Sequence, residues 1–158
     1  MKQPQVDLKK EIKTLEVSSV AFGPGGTIPE KYTCDGENIN PPLHIEHIPE
    51  QAKSLVIIVE DPDAPSGTFT HWLVWNIPPS EKIKERSIPG NEGSNDYIEH
   101  HYRGPCPPSG MHHYHFKVYA LDSLLHLKAD TKNDELQHLM SKYVIAFGEL
   151  VGVYKRYR

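Results

Sequence analysis

Two apolar runs separated by a proline-containing loop set the strongest limit on how this chain can fold. Residues 55–59 are five consecutive aliphatic residues, a pattern typical of a strand that is buried on both faces. Residues 71–77 are similarly apolar, and the short connection between the two runs predicts an antiparallel pair. In that connection Pro62 and Pro65 fix their own backbone and keep the preceding residues out of the helical region. The sequence therefore predicts a core hairpin closed by a rigid loop.

The same loop carries the first candidate site residues. Asp61 and Asp63 follow the first strand, and His71 opens the second. Charged side chains on a rigid loop between core strands are candidates for a functional site. Each also has a structural alternative, because the two aspartates could be turn formers that bond their own backbone, and His71 could be a satisfied core histidine.

The rest of the chain indicates many strands, little helix and no alternation of strands with helices. This pattern is typical of a mainly antiparallel β architecture. Residues 113–121 alternate in polarity, which predicts a half-exposed strand with Tyr114 and Phe116 on one face and His113 and His115 on the other.

One helix is predicted near the C-terminus. Thr131 can cap it, apolar residues follow at helical spacing as far as Phe147, and Gly148 would end it. The other predicted segments are a strand over 15–22 with a break at 18–19, an extended piece over 27–33, a strand over 43–48, a long loop over 80–102 and a last strand over 149–157.

Composition excludes several classes of protein. A formal net charge of -4 and a pI near 6.2 argue against a nucleic-acid-binding protein. No apolar run approaches the roughly 20 residues of a membrane span. The polar N-terminus lacks the apolar segment of a signal peptide, so a cytoplasmic location is expected. The length predicts a single domain over residues 15–158 after a charged extension of residues 1–14, and sheet edges of such a domain could be covered in a homodimer.

The two cysteines, Cys34 and Cys106, are too few for a disulfide-stapled scaffold. Neither belongs to a Cys-x-x-Cys pair, which disfavours metal binding. We expect two reduced, partly buried thiols, with a structural disulfide as the lesser alternative.

A second rigid stretch completes a recognisable pair of motifs. It reads Gly-Pro-Cys-Pro-Pro over residues 104–108 and continues to His112 and Tyr114. With the Asp-Pro-Asp-Ala-Pro loop of residues 61–65 and His71, it resembles the phosphatidylethanolamine-binding proteins, also called Raf kinase inhibitor-like proteins, and in particular their short prokaryotic branch. Further similar segments are residues 32–38, 41–43, 119–122 and 149–152, so that the resemblance covers about residues 15–154.

The resemblance implies a fold and a site. The fold would be mainly β, with a central antiparallel sheet, a second smaller sheet and a few short peripheral helices. The site would be a small pocket for phosphate or a phosphorylated head group, in a protein that is not an enzyme and needs no cofactor or metal. Its expected residues are Asp61, Asp63, Pro65, His71, Gly104, Cys106, Pro107, Pro108, His112 and Tyr114.

The chemistry of these residues suits an anion. Protonated histidines, the tyrosine hydroxyl and loop N–H groups can donate to phosphate oxygens. The aspartates would orient and charge the imidazoles or bind a head-group amine. Cys106 stands where the eukaryotic members of the family, which are longer, usually carry glycine. The cysteine side chain would narrow the pocket.

Three other functions are open at this point. A protein-interaction module that inhibits kinases or proteases would use the pocket or the loop over residues 80–101 as its contact surface. Two histidines and two aspartates could instead bind a metal, or a His/Asp pair could hydrolyse phosphate or carboxylate esters. The spacing matches no metal motif, and no serine stands in a nucleophile elbow.

Overall fold

The computed structural model describes residues 11–156. Within these residues nine strands and one α-helix follow in chain order, with 3₁₀ turns at Glu30–Tyr32 and Ser141–Tyr143. They are β1 (Lys13–Thr14), β2 (Glu16–Ser18), β3 (Leu43–Glu46), β4 (Ser54–Asp61), β5 (Phe69–Ile77), β6 (Lys82–Ile83), β7 (Asn91–Glu92), β8 (His112–Leu121), α1 (Asn133–Met140) and β9 (Val144–Tyr154).

The strands form two sheets. The larger has the order β1-β9-β8-β4-β5-β7, and the smaller has the order β2-β3-β6. This confirms the mainly β fold with a second, smaller sheet. The central sheet is mixed rather than antiparallel throughout, because β1 pairs with β9 in parallel.

Strand β4 lies at the centre of the larger sheet. All eight of its residues are buried, which confirms the prediction from the aliphatic run. Its side chains alternate between two cores: Leu55, Ile57 and Val59 pack in the core shared with the smaller sheet. Val56 and Ile58 pack in the core covered by α1. Because apolar cores lie on both sides of β4, polar and apolar residues do not alternate along it, and its sequence is a continuous aliphatic run.

The helix is shorter than predicted, and the strand after it is longer. Residues at helical spacing continue to Phe147, yet α1 ends at Met140 and β9 already begins at Val144. Phe147 pairs with Tyr119 of β8, and the pairing of two long strands overrides the local helical pattern. Lys132, not Thr131, is the N-cap residue, and no side chain caps the helix.

Gly148 therefore does not end a helix. It lies inside β9, opposite Val118, where a Cβ atom would collide with the backbone carbonyl of Leu15. The glycine is needed because the chain between β1 and β2 crosses closely over β9.

Two other segments differ from their predictions. Residues 27–33 are extended only at first, where Thr27 bridges to Val153, and then form the 3₁₀ turn. The long loop over 80–102 contains β6 and β7. Lys13 and Thr14, assigned by sequence to the extension, form β1, and the rest of the extension before residue 11 lies outside the described residues.

The cysteines form a disulfide, so the prediction of reduced thiols is wrong. Cys34 and Cys106 are 72 residues apart in the sequence, with a Cα–Cα distance of 5.4 Å. The two loops also share a backbone hydrogen bond, in which the Cys34 N–H donates to the Pro105 carbonyl at 3.1 Å. This proximity depends on the tertiary fold, and residue spacing alone does not reveal it. Within residues 11–156 no helix is long and apolar enough to cross a membrane.

Candidate functional site

A pocket opens where three strands of the larger sheet meet. Strand β4 is antiparallel to both β5 and β8, so its last residues lie beside the first residues of those two strands. Asp61 pairs with Phe69, and Glu60 pairs with His115. The pocket has a volume of about 190 Å³ and is lined by Asp61, Ala64, Pro65, Phe69, His71, Tyr97, Cys106, Pro107, Pro108, His112 and Tyr114.

Asp61 orders one side of this pocket. Its side chain is almost fully buried, and its Oδ1 atom accepts the N–H of Asp63 at 2.8 Å. Its Oδ2 atom accepts a hydrogen bond from Nδ1 of His112 at 2.6 Å. Asp61 is therefore both the turn former and the group that orients His112. With Nδ1 committed to Asp61, Nε2 is the ring nitrogen that His112 has left for a ligand.

His71 is also held through its Nδ1 atom. Its Nδ1–H donates to the backbone carbonyl of Arg103 at 2.7 Å, and the side chain is buried. Burial lowers the pKa of His71, and the hydrogen bond to Arg103 opposes this shift without cancelling it. His71 is therefore neutral at neutral pH, with an unprotonated Nε2.

The hydroxyl group of Tyr114 is in an unusual environment for a polar group. Its side chain is 0 % exposed, and its hydroxyl is the one buried side-chain nitrogen or oxygen among residues 11–156 that has no hydrogen-bond partner. Burial, together with the nearby charge of Asp61, raises the pKa of Tyr114, so the hydroxyl keeps its proton. The Asp61 carboxylate is a nearby acceptor but lies outside hydrogen-bond geometry, so this protonated hydroxyl remains available as a donor to a ligand.

Two predicted residues are not in the lining. Asp63 points to the other side of its loop, where its Oδ2 accepts both the backbone N–H and Nδ1–H of His113, each at 2.8 Å. The hydrogen bond from the His113 side chain lowers the pKa of Asp63. Gly104 donates its N–H to Oδ1 of Asn38 at 2.7 Å, so this group is committed to packing two loops together.

Three lining residues were missed by the sequence analysis, namely Ala64, Phe69 and Tyr97. Phe69 could have been found, because it stands two residues before His71 and thus on the same face of β5. Tyr97 lies in the long loop, where no local pattern marks it. Its ring contacts that of Phe69 at a centroid distance of 4.9 Å, and the Arg103 guanidinium lies 4.2 Å from its centroid.

The electrostatic character of the pocket is set by few groups. The described lining residues include neither lysine nor arginine, and its ionisable groups are one aspartate, two histidines and two tyrosines. Arg103 stands behind Tyr97 and pairs with Glu99 at 2.7 Å. Positive charge in this pocket must therefore come from imidazole protonation.

The fold agrees with comparisons to known proteins. The family profile described as phosphatidylethanolamine-binding protein matches residues 18–155. A UPF0098 protein of Pyrococcus abyssi is 54 % identical over 153 residues, covering 90 % of this chain and 85 % of that protein.

Solved structures give the same result. The crystal structure of CT736, a homologue of phosphatidylethanolamine-binding protein from Chlamydia trachomatis, has a TM-score of 0.88 at 39 % identity, covering 92 % of this chain and 99 % of that chain. E. coli YbcL, described as a member of the mammalian PEBP family, has a TM-score of 0.83 at 28 % identity, covering 90 % and 99 %. The chain belongs to the phosphatidylethanolamine-binding protein family. Within that family it is similar to the prokaryotic UPF0098 proteins.

Proposed function

We propose that this protein binds a small oxyanion, either phosphate or the anionic part of a phosphorylated head group, in the pocket between β4, β5 and β8. The observation that carries the proposal is the Tyr114 hydroxyl, which is buried and protonated and makes no hydrogen bond of normal geometry, although the Asp61 carboxylate lies nearby. A buried donor of this kind costs about 1–3 kcal/mol of desolvation, and an anionic oxygen in the pocket would offset that cost.

The histidines would supply the other donors. Nε2 of His112 can donate while Asp61 balances the charge of the protonated ring. Nε2 of His71 can donate only after protonation, because Nδ1 already carries a proton for the Arg103 carbonyl. Asp61 orients one donor and does not itself contact the anion, since two negative groups would repel each other.

The size of the pocket limits the ligand. A volume of about 190 Å³ lies below the roughly 300–1,000 Å³ of pockets that bury a drug-sized ligand. That space suits one anionic group with a small substituent, and the rest of any lipid would remain outside. The aromatic rings of Phe69 and Tyr97 contribute to the apolar part of the wall, together with Ala64 and the prolines of the two loops.

The proposal is tested by calorimetric titration with phosphate, phosphoethanolamine and citrate. Tyr114→Phe removes one hydroxyl and should weaken anion binding by about 1.5–3 kcal/mol, roughly ten- to a hundredfold. Tyr119→Phe is the matched control, because Tyr119 lies on the opposite face of the same strand and outside the pocket. Equal affinities of the two variants would contradict the assignment of Tyr114.

The remaining alternatives are outcomes of the same work. If the purified protein binds none of these anions at millimolar concentration, the protein-interaction module becomes the better interpretation. The proposal is also non-enzymatic. Turnover of a phosphate or carboxylate ester that disappears in His112→Ala would replace it with a hydrolase.

A further inference from the structure

A second group of ionisable side chains lies on the smaller sheet, away from the pocket. Glu16 is the first residue of β2, Glu46 is the last residue of β3, and His47 directly follows Glu46. One donor atom from each of the three lies within 4.8 Å of the other two. Among residues 11–156 this is the one group of three or more histidine, cysteine or carboxylate side chains that meets this distance.

The pairing of the strands brings the two glutamates together. Glu16 and Glu46 are directly opposite each other in the antiparallel β2–β3 register. Carboxylates directly opposite each other on one face of a sheet have their oxygen atoms close together. In the described part of the chain no lysine or arginine forms an ion pair with either of them, and their charged partners are histidines. A cation between the carboxylates would give both of them a common charged partner.

The histidines complete a mixed set of ligands. Nε2 of His47 lies 3.6 Å from Oε1 of Glu16, close to the roughly 3.4 Å that separates two ligands of a tetrahedral zinc ion. His44 lies behind Glu46, with its Nε2 at 3.0 Å from Oε2 of that carboxylate. Hydrogen bonds of this kind orient carboxylate ligands in metal sites.

We propose that Glu16, Glu46 and His47 bind a divalent transition-metal ion of the zinc type on the smaller sheet, with His44 as a positioning residue. One imidazole with two carboxylates favours such ions over magnesium or calcium, which prefer oxygen ligands alone. Three protein ligands leave the remaining coordination positions to water. The bound ion would join β2 to β3 and so stabilise the edge of the smaller sheet.

Calorimetric titration of the full chain with zinc at pH 7.5 tests the site. We expect an equivalent of zinc that is lost in Glu16→Gln and in His47→Ala, and an affinity about tenfold lower in His44→Ala. Zinc should also raise the melting temperature of the wild type and of the control, and leave both ligand variants unchanged. Magnesium should produce neither effect.

The control is His101→Ala. His101 is also exposed and also lies near a carboxylate, with its Nε2 at 3.3 Å from Oε1 of Glu99. Because Glu16 and His47 are largely exposed as well, their variants should fold normally. An unchanged zinc isotherm in Glu16→Gln and His47→Ala would overturn the proposal, as would the absence of zinc binding to the wild type at millimolar concentration.

Discussion

At the scale of single residues, the hydroxyl of Tyr114 separates function from stability. Without ligand it is a buried donor whose nearby acceptor, the Asp61 carboxylate, lies outside hydrogen-bond geometry, so Tyr114→Phe should stabilise the protein by about 1 kcal/mol. Tyr102 is the matched case, since its hydroxyl is also buried but donates to the Tyr32 carbonyl at 2.8 Å. Tyr102→Phe should therefore destabilise by about 1–3 kcal/mol. Urea unfolding of both ligand-free variants measures the difference, and equal shifts would mean that Tyr114 has a partner.

His71 should make stability depend on pH. Burial lowers its pKa below the ordinary 6.5, so the unfolded chain takes up this proton more readily than the folded one. The stabilising contribution is present above pH 6.5 and is lost as the pH falls toward the lower folded value. Unfolding free energies of the ligand-free protein should thus decrease between pH 7 and pH 5, and less so in His71→Gln.

Anion binding should show the opposite pH dependence. A protonated His71 gains a second donor, so affinity for sulfate, whose charge is constant in this range, should strengthen as the pH falls. The carboxyl of Asp63 stays ionised to lower pH because His113 hydrogen-bonds to it. A sulfate affinity that does not change between pH 7 and pH 5 would exclude charged imidazole from the site.

At the scale of elements, strands were predictable where the side chains are buried on both faces, or where buried and exposed side chains strictly alternate. The runs of β4 and β5 and the alternation of β8 each reflect a single environment along the strand. The sequence pattern predicts helix over the first half of β9, because Tyr143 and Phe147 stand at helical spacing. Only the pairing with β8 decides between the two, and that pairing is non-local.

The site was predictable to a similar extent. The structure brings Asp61, His71, His112 and Tyr114 into one lining, because all four stand at ends of strands that pair with one another. Asp63 differs because it lies beyond the end of β4, in the turn, where His113 satisfies its carboxylate. Tyr97 enters from a loop whose path depends on contacts distant in the sequence, such as the hydrogen bond of the Asp96 N–H to the Thr70 carbonyl.

Gly148 tests the crossing of two elements. Gly148→Ala should destabilise the protein by about 1–3 kcal/mol, because the added methyl group meets the backbone carbonyl of Leu15 and neither strand can move freely. Gly23→Ala is the control, since a Cβ atom there has nothing within 4 Å. Chemical unfolding of the two variants compares them, and an unaffected Gly148→Ala would mean that the 11–18 segment does not cross β9 as described.

At the scale of the whole molecule, the disulfide connects the pocket to the loop around Cys34, which contacts the C-terminal strand. Cys106 lines the pocket, and Cys34 neighbours Asp35, which accepts hydrogen bonds from Tyr154 at 2.6 Å and from Arg156 at 3.0 Å. The bond thus fixes one pocket wall to a loop that is itself held by the C-terminal strand. Opening it should affect stability and ligand binding together.

The expected loss of stability on reduction follows from the length of the loop that the disulfide closes. A separation of 72 residues corresponds to about 4 kcal/mol of lost chain entropy in the unfolded state. Reduction of the wild type should lower the unfolding free energy by roughly that amount and weaken anion binding, because the Cys106 wall is then less fixed. The double variant Cys34→Ser/Cys106→Ser should resemble the reduced wild type and should not respond to reductant. If reduction lowers stability while affinity in the folded protein stays constant, the hydrogen bonds between Gly104 and Asn38 and between Tyr102 and Tyr32 are sufficient to hold the wall, and the disulfide serves stability alone.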